Sequence, residues 1–475
     1  MPRGTRLTIA LLLTLLVFLF AVSPLLAQWE PDRRLTYNSG NSRTPVNNAR
    51  CVAASGDTLH VVWHDDRDGD YEIYYKRSTD GGTGWSADVR LTTGAQNSWY
   101  PSLAAAEADV HVVWADDRDG NYEIYYKRSP DGGTSWEADS RLTNAPDYSG
   151  YPALAVSPQR DVHGVWADYR DGNWEIYHKR STDRGTSWDP DERLTYNPGA
   201  SGYPSVAVSG TDVHVVWFDD RDGNEEVYHK RSTDRGTSWG PDERLTHDPG
   251  ASGYPSLAVS GTDVHVVWFD DRDGNEEIYH KRSTDGGTSW GADVRLTSDS
   301  SFSEHPSVAV SGLNVHVVWE DGRNGYAEIY YKGSPDRGTS WGADVRLTNA
   351  PDYSRFPSVA ASGTKVHAVW EDVRSGNPEI FYKRNPTGNI GVEEKMKNEK
   401  CKLQIAKLQI TPNPFASFTT VPGHEAERFV LYDIAGRKVG FFKGDRVGEG
   451  LAPGVYFLKR EADRFSRPLK VVKMR

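Results

Sequence analysis

The chain has 475 residues, 26% of them Asp, Glu, Lys or Arg, and a formal net charge of -12 at neutral pH. Sixteen tryptophans and twenty-four tyrosines supply apolar surface enough for packed interiors and exclude a disordered chain. The negative balance, with no long basic stripe to offset it, excludes a general nucleic-acid binder.

Residues 1–27 read as an export signal: Arg3 and Arg6 precede an apolar run from Leu7 to Phe20, and Ala27-Gln28 is a cleavage point. A retained anchor is the alternative, because the run is near the lower limit for a span. No later segment is apolar enough to cross a bilayer as a helix, so no stable span is expected in the mature chain. Cys51 and Cys401 are the only cysteines, and free thiols and a single bridge both remain open.

Residues 28–384 are governed by a repeat. Trp63, Trp114, Trp166, Trp217, Trp268, Trp319 and Trp370 each open the pattern W-x-D-x-R-x-G-x-x-E-[IV]-[YF], at a period of about 51 residues that marks a repeat architecture. Its alternating apolar flanks and polar, glycine-containing middle predict two strands joined by a tight hairpin. Each unit begins with a strand after a proline, as in Tyr203-Pro204-Ser205-Val206-Ala207-Val208. It continues through Val213-His214-Val215-Val216-Trp217, then Glu226 to Arg231, and ends in a fourth strand closing at Arg244-Leu245-Thr246. Four short antiparallel strands per unit and no helical period between them predict an all-β chain, a seven-bladed β-propeller followed by a small β-sandwich domain. The arginine-leucine-threonine ending first occurs at Arg34-Leu35-Thr36, ahead of any complete unit, whereas the last unit stops at Arg384 without one. The reading is that residues 30–36 complete the blade built by residues 357–384, fastening the circle and removing its unpaired edges.

Six turns carry a second signature around Asp80, Asp131, Asp183, Asp234, Asp285 and Asp336, each followed by glycine and then tryptophan, as in Ser181 to Trp188. The aspartates suit acceptance of backbone amides within their turns. This signature resembles the Asp-box, or bacterial neuraminidase repeat, of the sialidase superfamily, and the resemblance covers about residues 29–384. It implies a structural role for those aspartates, away from any active face.

The hairpin motif is the candidate ligand-binding element, since it should emerge at the opposite end of each blade from the Asp-box. It would set Arg67, Arg118, Arg170, Arg221, Arg272, Arg323 and Arg374 around one rim, each with an Asp and a Glu at the feet of its hairpin. Clamping of the guanidinium between those carboxylates is the structural reading. A multivalent site for anionic or hydroxylated ligands, with Tyr122, Trp174, Tyr326, Phe218 and Phe269 as stacking surface, is the functional one. Calcium suits the aspartates, but the embedded arginine and the absence of EF-hand spacing disfavour it. One histidine per blade, at His60, His111, His163, His214, His265, His316 and His367, suits packing between blades better than a metal cluster; His178, His229 and His280 stand where Tyr75 and Tyr126 do. No metal, cofactor or catalytic residue is therefore assigned.

The sialidase resemblance also implies an arginine triad, a tyrosine nucleophile with a glutamate, and an aspartate acid/base, drawn from different blades. Here the arginines, tyrosines and glutamates belong to copied motifs, and the Phe/Tyr-Arg-Ile-Pro segment is replaced by Arg43-Thr44-Pro45-Val46. Cleavage of one substrate needs acid and nucleophile in unequal surroundings. Seven interchangeable blades supply little asymmetry, so the expectation is a non-catalytic binding propeller for a glycan or protein, with an exo-sialidase-like glycoside hydrolase as alternative.

Beyond Arg384, residues 385–407 read as a charged linker and 408–475 as a small β-domain. Pro412-Asn413-Pro414-Phe415, Phe429 to Arg437 and Gly450 to Leu458, in that order at the C-terminus, resemble the sorting domain of type IX secretion. That resemblance implies the type IX machinery as a partner, and a secreted or outer-membrane surface location.

Overall fold

A computed structural model describes residues 29–46, 50–94 and 96–388 and, nearer the C-terminus, 428–433, 437–443, 445–447, 451–460 and 469–473. The expected export signal, most of the linker and Pro412 to Phe415 lie outside the described residues. The chain divides into two compact units, Met1–Val392 and Glu393–Arg475.

In the first unit every described strand is antiparallel to its neighbours, and the strands form seven sheets among the described residues. The sheet of Ser201–Ser209, Asp212–Asp219, Glu226–Ser232 and Glu243–Arg244 stands for the rest. Its second strand alternates Val213, Val215 and Trp217 with His214 and Val216, and both sets are at most 1% exposed. A strand apolar on both faces needs a layer on each side, and the neighbouring sheets supply them. Each inner strand packs against the inner strand of the next sheet, and Ser354–Ser362 packs against Val52–Ser55, so the sheets form a closed, propeller-like ring. The fourth strand is shorter than its sequence suggests: only Glu243–Arg244 pairs with the third, at Tyr228 and His229.

The ring closes through the chain's leading segment. Arg33 and Arg34 pair with Tyr382 and Phe381, the Leu35 amide donates to the Ile380 carbonyl at 2.7 Å, and the Thr36 hydroxyl accepts from the Ile380 amide at 2.8 Å. Trp29 adds an anchor, packing edge-on against Tyr331 at 5.1 Å. The turn tryptophans do the same to the preceding sheet, Trp136 on Tyr75 at 4.9 Å and Trp239 on His178 at 5.0 Å.

The S-x-D-x-G turns fit closely into these contacts. Ser181 donates to Asp183 at 2.8 Å, and the amide and hydroxyl of Ser187 donate to the same carboxylate at 2.8 and 2.6 Å. Those bonds, the Ser187 hydroxyl foremost, hold Asp183 down at about 2. Gly185 needs its missing side chain twice over. Its φ is +85°, and a Cβ would collide with the Tyr126 hydroxyl of the preceding sheet.

The second unit holds one described antiparallel sheet in the order Lys438–Lys443, Arg428–Asp433, Gly454–Arg460, Leu469–Lys473. Phe429, Leu431, Val447 and Leu458 form its buried cluster.

Candidate active site

The seven motif arginines sit in nearly identical clamps. Arg221 donates to both oxygens of Asp219 at 2.8 and 2.6 Å and to Asp242, near the fourth strand, at 2.7 Å. It also lies over the Tyr228 ring at 4.2 Å. Arg67, Arg118, Arg170, Arg272 and Arg323 repeat this within their own sheets, and Arg374 takes its second carboxylate from Asp32 of the closing segment at 2.7 Å. The expected clamp between Asp and Glu of one hairpin is therefore half right. Glu226 turns instead to Arg244 at 2.6 Å and to the Thr246 hydroxyl, because Tyr228 and Arg244 stand opposite each other in the strand ladder. Burial pushes Asp219 up, but hydrogen bonds from Arg221, Ser201 and Trp217 outweigh it and hold the carboxylate below its usual range.

The histidines of the second strands pair within their own sheets. The Nδ1 of His60, His111, His316 and His367 meets the hydroxyl of Tyr75, Tyr126, Tyr331 and Tyr382 at 2.7 to 2.9 Å. His163, His214 and His265 meet His178, His229 and His280 at 3.1 Å. Among the described residues no group of three or more His, Cys, Asp or Glu has the arrangement of a metal site. Cys51 is a buried free thiol, while Cys401 lies outside the described residues.

The sheets stop being interchangeable at the inner rim, on the hairpin side of the ring. There the start of each inner strand pairs with the residue that follows the motif tryptophan. The pairs are Arg43 with His64, Trp99 with Ala115, Gly150 with Ala167, Gly202 with Phe218, Gly253 with Phe269, Glu304 with Glu320 and Arg355 with Glu371. The next inner-strand residue is Tyr100, Tyr151, Tyr203, Tyr254, His305 or Phe356, each held at a φ of +47 to +53° beside a register shift. Six bulky residues in the left-handed region carry a steric cost that concentrates at functional sites. Their rings touch in sequence round the rim, with centroids 5.1, 4.8, 4.7, 4.7 and 4.7 Å apart from Tyr100 to Phe356. Phe218, Phe269 and Trp174, singled out from sequence, back this ring by packing on Tyr203, Tyr254 and Tyr151. Tyr122 and Tyr326 pack on Tyr148 and Tyr353.

The charged groups gather in one sector. Glu320 faces Arg355 at 3.4 Å, His305 at 3.6 Å and the Phe356 amide at 3.4 Å. Glu371 faces Arg43 at 3.4 Å. Burial dominates both carboxyls: Glu320 is pushed up to about 8 and Glu371 to about 7, even against the pull of Arg355 and Arg43. Burial also drives His305 down to about 4. Glu371 Oε2 and His305 Nδ1 are buried with no hydrogen-bond partner among the described residues. The arrangement pairs two carboxyl groups poised near neutrality with two partly exposed guanidiniums, opposite a wall of aromatic faces.

No family model matches the chain, and no curated protein matches it. Solved structures do. A polysaccharide lyase described as an ulvan lyase superposes with a TM-score of 0.51 at 12% identity, over 74% of this chain and 95% of its own. The polysaccharide lyase Uly1 gives 0.53 at 9% identity, over 76% and 100%. A looser match, at 0.44 and 14% over 76% and 99%, is the intramolecular trans-sialidase of Ruminococcus gnavus. At such identities the likeness is one of fold, shared with several β-propeller carbohydrate-active enzymes. Two expectations are corrected here, that the chain is a non-catalytic binding propeller and that it leans away from being an enzyme. The two lyases named above are carbohydrate-active enzymes, and the inner rim carries two buried carboxyl groups in unequal surroundings. Among the described residues no helix is long and apolar enough to cross a membrane.

Proposed function

We propose that this chain is an exported enzyme that cleaves a glycosidic bond in a polysaccharide at the inner rim of a seven-bladed propeller. The observation that carries the reading is the Glu320/Glu371 pair, two buried carboxyl groups on adjacent sheets with a guanidinium beside each. Glu320, the more strongly raised, serves as general acid and protonates the leaving oxygen; Glu371, with the lower pKa, serves as the ionised base or nucleophile. Arg43 and Arg355 would hold acidic groups of the sugar, and Tyr203, Tyr254, Phe218 and Phe269 would stack on its apolar faces. This keeps the glycoside-hydrolase alternative but moves its chemistry from the copied motifs to the blade-specific rim. Arg67, Arg118, Arg170, Arg221, Arg272, Arg323 and Arg374 would flank that rim and touch only the outer reaches of a long substrate.

A second reading, eliminative cleavage of a uronate polymer, is favoured by the fold shared with two lyases. In it Arg43 would neutralise the substrate carboxylate and Tyr254 or His305 would take the proton beside it. The two readings separate in one experiment on the purified protein with a panel of acidic polysaccharides. Hydrolysis releases reducing ends alone, whereas elimination also creates an ultraviolet-absorbing unsaturated uronate. Reducing ends released equally by wild type and Glu320→Gln would overturn the assignment of the acid.

The same reading takes residues 1–27 as an export signal and the aspartates of the S-x-D-x-G turns as an Asp-box that holds the blades. It takes residues 408–475 as a type IX sorting domain, reached through the 385–407 linker, with the mature protein secreted or held at the outer-membrane surface.

A further inference from the structure

The channel at the centre of the ring changes character along its length. Beyond the aromatic rim one layer presents Ser102, Ser205, Ser256 and Ser307, and the next is lined by alanine and valine apart from Arg50. The serines stitch neighbouring sheets together. Their hydroxyl oxygens accept the amides of Leu154, Leu257, Val308 and Val359, each at 3.2 Å. A hydroxyl that accepts through a lone pair still has a proton to donate, and these four find no acceptor among the described residues.

Arg50 enters this layer from an irregularity of the first repeat. Val52 and Val206 hold equivalent places in their sheets, opposite Val61 and Val215. Yet residues 46–50 intervene between Pro45 and Cys51, where the other repeat runs directly from Pro204 to Ser205. The Arg50 carbonyl accepts the Leu103 amide at 2.8 Å, the bond a serine hydroxyl makes elsewhere. Its guanidinium donates once, to the Leu257 carbonyl at 3.3 Å, four sheets further round. No carboxylate pairs with it among the described residues, and the surrounding protein desolvates it enough to lower its pKa. Every motif arginine has two carboxylates, whereas Arg50, like Arg77 and Arg231 at the turns, meets only neutral acceptors among the described residues; it differs from those two in lining the central channel. Arg50 is half-buried, and a partly desolvated charge without a counter-charge carries a cost that a bound anion would relieve. Arg50 lines a cavity of about 200 Å³ and a smaller one of about 10 Å³ within the serine layer, the latter no larger than one water-sized sphere.

We propose that the channel binds a monatomic halide, chloride in ordinary media, between the Arg50 guanidinium and the free hydroxyl protons of Ser205, Ser256 and Ser307. The guanidinium supplies the charge, the hydroxyls supply converging donors, and the small volume of the serine layer selects against larger anions. The ion ties Arg50 of the first sheet to sheets on the far side of the ring.

The test uses the full mature chain. Calorimetric Tm is measured in sodium chloride and in sodium gluconate at equal ionic strength, for the wild type and for Arg50→Met. The expected result is a Tm a few degrees higher in chloride, rising with its concentration, with the difference abolished by Arg50→Met and reduced by Ser256→Ala. Crystals soaked in sodium bromide should show an anomalous peak beside Arg50, a readout that stands even if Arg50→Met fails to fold. A wild-type Tm indifferent to chloride, a chloride effect that survives in Arg50→Met, or a bromide map empty in the channel would each overturn the site. Equal stabilisation by acetate, without a bromide peak, would reassign the channel to carboxylates and equally end the halide proposal.

Discussion

In the hairpin clamps Asp219, Arg221 and Asp242 have counterparts in every sheet, the counterpart of Asp242 in the last being Asp32 across the closure. At the inner rim the residue after the tryptophan is in turn histidine, alanine, alanine, phenylalanine, phenylalanine, glutamate and glutamate. The outer layer faces the same neighbour seven times and has one solution to its packing. The rim faces an axis on which all seven sheets converge, so each sheet can contribute something different to a single site. Repetition therefore builds the scaffold, and departures from repetition gather at the rim, where the proposed chemistry would lie. They can coexist because Asp219 and Phe218 point to opposite faces of one strand.

The comparison breaks most severely at the closure. Deleting Trp29 to Thr36 strips the last sheet of its fourth strand, the Trp29 anchor, buried Leu35 and the Asp32 counter-charge to Arg374 together. The expected loss is several kcal/mol, seen calorimetrically as a Tm lower by roughly 10 °C or more. An unchanged Tm would mean that the ring is held elsewhere.

A rim substitution should do the reverse, removing chemistry and leaving the scaffold. Glu320→Gln is expected to lower kcat by about 10²- to 10⁴-fold with Tm unchanged or slightly raised, measured by polysaccharide cleavage and calorimetry side by side. The sign of the stability effect follows from the carboxyl's raised pKa. Its contribution is fully present below the ordinary glutamate range and is lost as pH rises through about 8. An amide cannot ionise and avoids that loss.

An outer-layer substitution should move stability without touching the chemistry. Asp219→Asn unbalances a fully buried carboxylate that receives Arg221, Trp217, Ser201 and Asn197, at a cost of about 2–4 kcal/mol read from denaturant unfolding. With six other clamps intact, kcat at low temperature is expected to stay within about twofold of wild type.

The mildest test uses pH alone. Hydrolysis needs Glu371 ionised and Glu320 protonated, so kcat should fall below about 7 and above about 8, a narrow bell measured across buffers of constant ionic strength. Glu371→Gln should abolish activity at every pH, and a profile flat from pH 5 to 9 would remove the pair from the reaction.

The period of the tryptophans, the alternation around Val213 to Trp217 and the misplaced first Arg34-Leu35-Thr36 were enough to read four-stranded units and a closure between the two ends of the repeat segment. Those signals are local, or repeat themselves, and a strand's two faces impose them residue by residue. The partner of Glu226 was misjudged because hairpin spacing suggests Arg221, whereas ladder register brings in Arg244, eighteen positions away. The rim was missed for a related reason. Arg43, Glu304, His305, Glu320, Arg355 and Glu371 span most of the propeller sequence, and in any one repeat each looks like ordinary variation in an unconstrained position. The signal that could have found them was the column of residues after each tryptophan, read across repeats.

Sequence by itself determined that these strands form and that residues 33–34 meet the last propeller strand, because backbone pairing and burial are settled within each fifty-residue unit and the leading segment carries the piece the last unit lacks. Only the tertiary structure decided where the chemistry lies. Closing a ring is what brings residues more than three hundred positions apart, such as Arg43 and Glu371, to 3.4 Å, and what takes Glu371 out of water so that its carboxyl is pushed up to about 7.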